Sequence, residues 1–171
     1  MTEPGVVVWV SGPAEDTTAR VATAIADRLD RRHVPTELMT PRTPGIAPLA
    51  GDGMERRVAF VASLLVRRGV AAVVAVPSPS RAVRDEIRVI AGRFIEVYVP
   101  VGGQGGARGG FEPPDRPEVQ VDFPDTELDG AVERTLRTLE LLHYIPPADD
   151  PSYSAEEERA VIRRLKSFGY L

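Results

Sequence analysis

Short apolar runs alternate with stretches of helical spacing along most of the chain. Gly5 to Val10 (GVVVWV) is apolar throughout and is stopped by Ser11-Gly12-Pro13, the pattern of a strand buried on both faces in a parallel sheet. Pro13 suits the first position of a helix, with Glu15 and Asp16 in its first turn. Helical spacing follows through Val21, Ala22, Ile25, Ala26 and Leu29 and fades at Arg31-Arg32. Pro35 to Met39 reads as a second strand and the turn-rich residues 40–53 as a loop. A helix is predicted over 54–68, with Val58, Val61, Ala62 and Leu65 on one face and Gly69 as its stop. Ala71 to Val76 is a further buried strand. Ser80 is placed to cap a helix running to about Ala91, and Phe94 to Val99 (FIEVYV) is the next strand.

Residues 101–118 hold six glycines and three prolines with few apolar side chains, and read as a flexible connector or a remnant of a mobile loop. Val119 to Val121 is a brief strand, and Glu127 to about His143 a helix. After Pro146-Pro147 comes a capping box, Ser154-x-x-Glu157, and a helix with Val161, Leu165 and Phe168 on one face that ends at Gly169. Strands alternating with helices over short connections imply βαβ units: an α/β fold, mostly parallel, with helices on both faces of the sheet. The expected division is an α/β domain over 1–145 and, over 146–171, a linker and a C-terminal amphipathic helix. That helix is free to dock on its own domain, swap to a second subunit or clip onto another protein.

Composition narrows the chemistry. The 171 residues carry a formal charge of −4 and no cysteine, which excludes disulfides, thiolate metal sites and thiol nucleophiles. Of 21 basic residues, 20 are arginine, and the one lysine is Lys166. Any function that needs a lysine in the body of the domain is closed. Mild acidity argues against sequence-independent nucleic-acid binding, and no apolar stretch is long enough to span a membrane. With no secretory signal pattern at the N-terminus, the expected setting is cytoplasmic. His33 and His143 fall near the ends of predicted helices and lack partners at metal-ligand spacing, so no metal site is expected.

Trp9 to Gly12 (WVSG), then Thr17-Thr18 and a helix, resembles the opening of the adenylylsulfate kinases, which read WLTG before a glycine-rich GKST stretch. RRGVAAVVAVPSPSRAVRDEIRVIAGRFIEVYV resembles that family's strand, SPxRxxRD turn and helix, and FIEVFV strand. Arg57, in ERRVAFVASLL, matches a helix arginine of the family, and Gly110 to Asp122 resembles its GIDDPYEPPENPELVLD segment. The resemblance covers about residues 5–145. It implies a three-layer fold of the P-loop NTPase type and a pocket for adenylylsulfate in which Arg57, Ser78, Arg81 and Arg84 hold the anion. It also implies a homodimer. Without the resemblance, Arg57, Arg81 and Arg84 read as solvated helix-face residues of an arginine-rich chain.

The departures from the family concentrate where phosphoryl transfer belongs. A phosphate loop works because glycines let backbone N–H groups wrap the phosphates and a lysine neutralises their charge. Gly12 to Thr18 reads GPAEDTT, shorter than the family loop, with Glu15 and Asp16 at the glycine and lysine positions when Thr17-Thr18 are matched to the final serine/threonine pair. The family's DGD is replaced by Met39-Thr40-Pro41-Arg42, and its basic lid by Gly102 to Gly110, which keeps only Arg108. The expectation is a pseudokinase without a cofactor: a regulatory or assembly subunit that binds adenylylsulfate or its 3′-phosphorylated product, with a protein partner reached through the C-terminal helix. Two alternatives stand beside it. One is a protein-interaction scaffold that binds no nucleotide. The other is an active adenylylsulfate kinase using ATP and Mg²⁺, with Arg20 or Arg42 in place of the lysine and Thr17-Thr18 near the metal; otherwise these threonines are ordinary first-turn residues.

Overall fold

The computed structural model describes residues 3–46, 52–100, 110–121, 127–148 and 154–171. Five strands, β1 (Val7–Ser11), β2 (Thr36–Met39), β3 (Ala71–Val74), β4 (Phe94–Tyr98) and β5 (Val119–Gln120), form one parallel sheet in the order β2-β3-β1-β4-β5. The helices are α1 (Glu15–Arg31), α2 (Met54–Val66), α3 (Arg81–Ala91), α4 (Leu128–Leu141) and α5 (Ala155–Ser167). Side chains alternate across each strand, so one strand serves two cores. Val8, Val10, Val73, Ile95 and Val97 meet α1 and α4 on one face. Val7, Trp9, Ala72, Val74 and Phe94 meet α2 and α3 on the other. That is the expected three-layer α/β arrangement. No helix among the described residues is long and apolar enough to cross a membrane.

The predicted elements all form, with shifted ends. β1 starts at Val7 rather than Gly5, and β3 stops at Val74 rather than Val76. Pro13 lies outside α1, whose N-cap is Ala14. Ser80 is the N-cap of α3, yet its side chain makes no capping hydrogen bond. The Arg81 N–H is instead taken by the Glu112 carboxylate at 2.7 Å, a partner 31 residues away. The segment 110–118 is not a loose connector: Glu112 N–H donates to the Pro79 carbonyl at 2.9 Å, and Phe111 is buried and stacks on Tyr98. The remaining glycine-rich stretch, with Arg108, lies outside the described residues, as do residues 47–51 of the predicted loop.

His33 and His143 have a backbone role. Each follows a helix with φ near +57° and +56°, the left-handed region where glycine is usual. Around His33 the amide of Val34 returns to Leu29 and its own to Asp30; around His143, Tyr144 returns to Leu139 and His143 to Glu140. This double closure satisfies helix-end carbonyls, and Gly69 and Gly169 repeat it after α2 and α5. Helix α5 packs on α4 with Leu165 fully buried, and Arg164 Nε donates to the Pro117 carbonyl at 2.9 Å. The helix thus docks on its own chain.

Candidate functional site

β1 and β3 are neighbours whose outgoing connections run in opposite directions, one to β2 and the other, through α3, to β4. A crevice opens beyond the carboxyl ends of such a pair, and open α/β sheets bind their ligands there. Here it is a cavity of about 270 Å³ between Gly12, Pro13, Glu15 and Thr18 on one side and Val76 to Pro79 with Phe111 on the other. Among its described lining residues Glu15 is the one charged side chain.

The β1–α1 connection is only Gly12 to Ala14. Gly12 is required by its surroundings, since a Cβ there would collide with the Val99 carbonyl oxygen. No side chain caps α1, and Glu15 and Asp16 stand exposed in its first turn. Asp16 pairs with Arg42 at 3.3 Å, both side chains largely in solvent. Thr18 is buried and donates its hydroxyl to the Glu15 carbonyl at 2.9 Å; Thr17 is half-buried beside it.

Across the cavity, Ser78 is buried and its hydroxyl accepts the Trp9 indole N–H at 3.0 Å. Arg81 is exposed and pairs with Asp115. Arg84 is 1% exposed and surrounded: Nε donates to Glu96 at 2.9 Å, and the remaining donors reach the carbonyls of Ser78 at 2.6 Å, Pro79 at 3.1 Å and Glu112. Its guanidinium also lies 4.6 Å over the Phe111 ring. Arg57 is exposed in the first turn of α2, where it donates to the Asp52 carbonyl at 2.8 Å. The fold therefore brings Gly12, Glu15, Thr18 and Ser78 to one cavity and sets Arg84 behind its wall. Arg57 and Arg81 are not among the lining residues.

Four functional neighbours escaped sequence reading: Glu96, Glu112, Asp115 and Glu118. Glu96 is 2% exposed, accepts the Ser11 hydroxyl at 2.6 Å and pairs with Arg84. Burial pushes its carboxyl above the usual carboxylate range, against the pull of Ser11, Arg84 and Arg88. Its signal was present: a lone acid within FIEVYV needs a buried cation, and Arg84 and Arg88 on the preceding helix are the candidates. Glu118, in PEVQV, follows the same rule with Arg88.

A family model described as adenylylsulphate kinase matches residues 52–105, from α2 through β4. The adenylyl-sulfate kinase of Gloeothece citriformis is 31% identical, over 85% of this chain and 99% of its own length. The chain belongs to the adenylyl-sulfate kinase family. A probable adenylyl-sulfate kinase of Pyrococcus abyssi is 29% identical over 83% of the chain and 99% of its own. Among solved structures, the hexameric APS kinase from Thiobacillus denitrificans superposes with a TM-score of 0.71 at 24% identity, over 85% of this chain and 31% of that one. The Mycobacterium tuberculosis APS kinase in complex with AMPPNP and APS gives 0.64 at 22% identity, over 80% and 98%. The β1–α1 turn of this chain leads into a helix whose first turn carries two exposed acids, Glu15 and Asp16.

Proposed function

We propose that the chain binds an adenylylsulfate-type nucleotide without transferring a phosphoryl group to it, and serves as a regulatory or assembly subunit, as a homodimer in its default form. The observation that carries the reading is the charge at the β1–α1 turn. Three residues connect strand to helix, two exposed carboxylates follow, and the nearby Arg42 is paired to one of them. A helix N-terminus favours an anion, and Glu15 and Asp16 already supply that charge. A magnesium-bound triphosphate does not fit this donor set. Lys166 belongs to the last turn of α5. Phosphoryl transfer depends almost wholly on positioned positive charge, so a turn of this composition lacks the main source of rate.

Binding rests on exposed arginines outside the cavity's described lining. The Arg81–Asp115 pair is exposed, at 44% and 72% for the two side chains, and an exposed ion pair contributes little. A ligand anion replaces Asp115 there at small cost, with Arg57 as a second exposed cation. Ser78 and Arg84 hold the frame: Arg84 fixes the β3–α3 turn, and Ser78 is pinned by Trp9. In this reading Arg84 is a positioning residue, while Thr17 and Thr18 stay first-turn helix residues.

A second reading, an active kinase, is favoured by the near full-length match to adenylyl-sulfate kinases and by the place of Arg42 beside the first turn of α1. Arginine's planar fork is a poor substitute for a compact ammonium. The two readings part in one experiment: consumption of ATP with Mg²⁺ and adenylylsulfate, run beside a binding titration of adenylylsulfate. The expected result is no turnover above a protein-free control, measurable binding, and at least a tenfold loss of affinity in folded Arg81→Ala, about what one charged hydrogen bond contributes. Turnover, or unchanged affinity in that variant, overturns the proposal.

A further inference from the structure

Helix α5 reaches the charged interior of β4. Tyr170, just beyond the helix, donates its hydroxyl to Glu118, and Arg88 contacts both, lying 3.2 Å from the tyrosine oxygen. Glu118 is 2% exposed, and its other oxygen accepts the Glu96 backbone N–H at 2.7 Å. The Glu96 side chain holds the Ser11 hydroxyl at 2.6 Å and Arg84 at 2.9 Å. Arg84 in turn ties the carbonyls of Ser78, Pro79 and Glu112. These contacts run without a gap from Tyr170 to all three walls of the cavity: the turn after β1, the turn after β3 and the segment bearing Phe111.

We infer that Tyr170 and Glu118 are positioning residues for the cavity, and that seating of Tyr170 sets how firmly its walls are held. Glu118 Oε1 has two donors, Arg88 and Tyr170. Without the tyrosine hydroxyl, the buried carboxylate must turn toward Arg88 or toward water, and its bond to the Glu96 amide weakens with that turn. Glu96 then holds Ser11 and Arg84 less firmly. Coupling of this kind is reciprocal, so loosening the far end must loosen the tyrosine's seat as well. The inference concerns the free chain and stands whether or not a nucleotide binds.

Hydrogen exchange read by mass spectrometry on the full chain tests it, with three variants. In Tyr170→Phe, which removes only the hydroxyl, amides in 11–18, 81–84 and 111–112 should exchange about tenfold faster than in the wild type, the equivalent of one charge-assisted hydrogen bond. Trp9, the chain's single tryptophan, should change its emission as its partner Ser78 loosens. Ser11→Ala, at the opposite end of the contacts, should speed exchange in 165–171. Ile25→Val removes a buried methyl group from α1 outside the network and should not reproduce either pattern. Faster exchange confined to 161–171 in Tyr170→Phe, no change there in Ser11→Ala, or the same pattern in Ile25→Val would overturn the inference. Should Tyr170→Phe fail to fold, Ser11→Ala decides alone.

Discussion

At the scale of single residues, the account turns on Glu96, a carboxylate on β4, beside the central strand β1, with its charge matched by Arg84 and, more distantly, by Arg88. Two opposed charges at 1% and 3% side-chain exposure are stable only as a pair. Removing the acid strands a buried guanidinium. Glu96→Ala should therefore lower the unfolding free energy by about 3–5 kcal/mol, read by urea titration. A loss under about 1 kcal/mol, the size of an exposed pair, would contradict the buried-pair assignment. The residues of this network were only partly legible in the sequence. Arg84 stood out through the SPSRAVRD motif, and the resemblance gave it a ligand role. Its saturation by Glu96 and by three carbonyls depends on partners up to 28 residues away, which no local pattern encodes. Glu112 and Asp115 were hidden for the same reason, because their partner Arg81 lies beyond the glycine-rich stretch.

Among the elements, α5 shows how well local chemistry is read. The capping box expected from Ser154 and Glu157 is formed, with Ser154 accepting the Glu157 N–H at 3.3 Å and the Glu157 carboxylate accepting the Ser154 N–H at 3.1 Å. The Ser154 hydroxyl hydrogen bond, then its backbone N–H, lowers the Glu157 carboxyl below its ordinary value. A lowered folded-state pKa means that the cap's contribution is full above the ordinary carboxylate pKa of 4.5 and is lost as pH falls through the folded value. Ser154→Ala should weaken the start of α5 by about 1 kcal/mol at neutral pH, seen as faster exchange of its first amides. The difference from the wild type should shrink on acidification below that range. A difference that does not change with pH would contradict the cap.

Segments 5–10, 71–76 and 94–99 were legible as strands because both of their faces are buried, which leaves an unbroken apolar run. Their ends were not, because where a strand stops depends on its neighbour: β3 ends where its pairing with β1 and β2 runs out. Residues 110–118 were misread since glycine and proline content describes local freedom. Phe111, the one large apolar side chain there, was the clue that the segment packs.

For the molecule as a whole, the three-layer architecture and family follow from the same strands and turns that the sequence displays, while the proposed function turns on the two acids that follow one connection. Glu15 and Asp16 stand exposed at the start of α1, while Arg57 and Arg81 stand exposed on α2 and α3. The account therefore requires that adenylylsulfate bind and that a magnesium-bound triphosphate not bind. A thermal-denaturation series with adenylylsulfate and with ATP–Mg²⁺ tests this most directly. At a hundred times its dissociation constant a ligand stabilises by roughly 2.7 kcal/mol, which for a domain of this size raises Tm by about 5–10 °C. The predicted result is a rise of that order with adenylylsulfate and none with ATP–Mg²⁺; a rise with ATP–Mg²⁺, or none with adenylylsulfate, would contradict it.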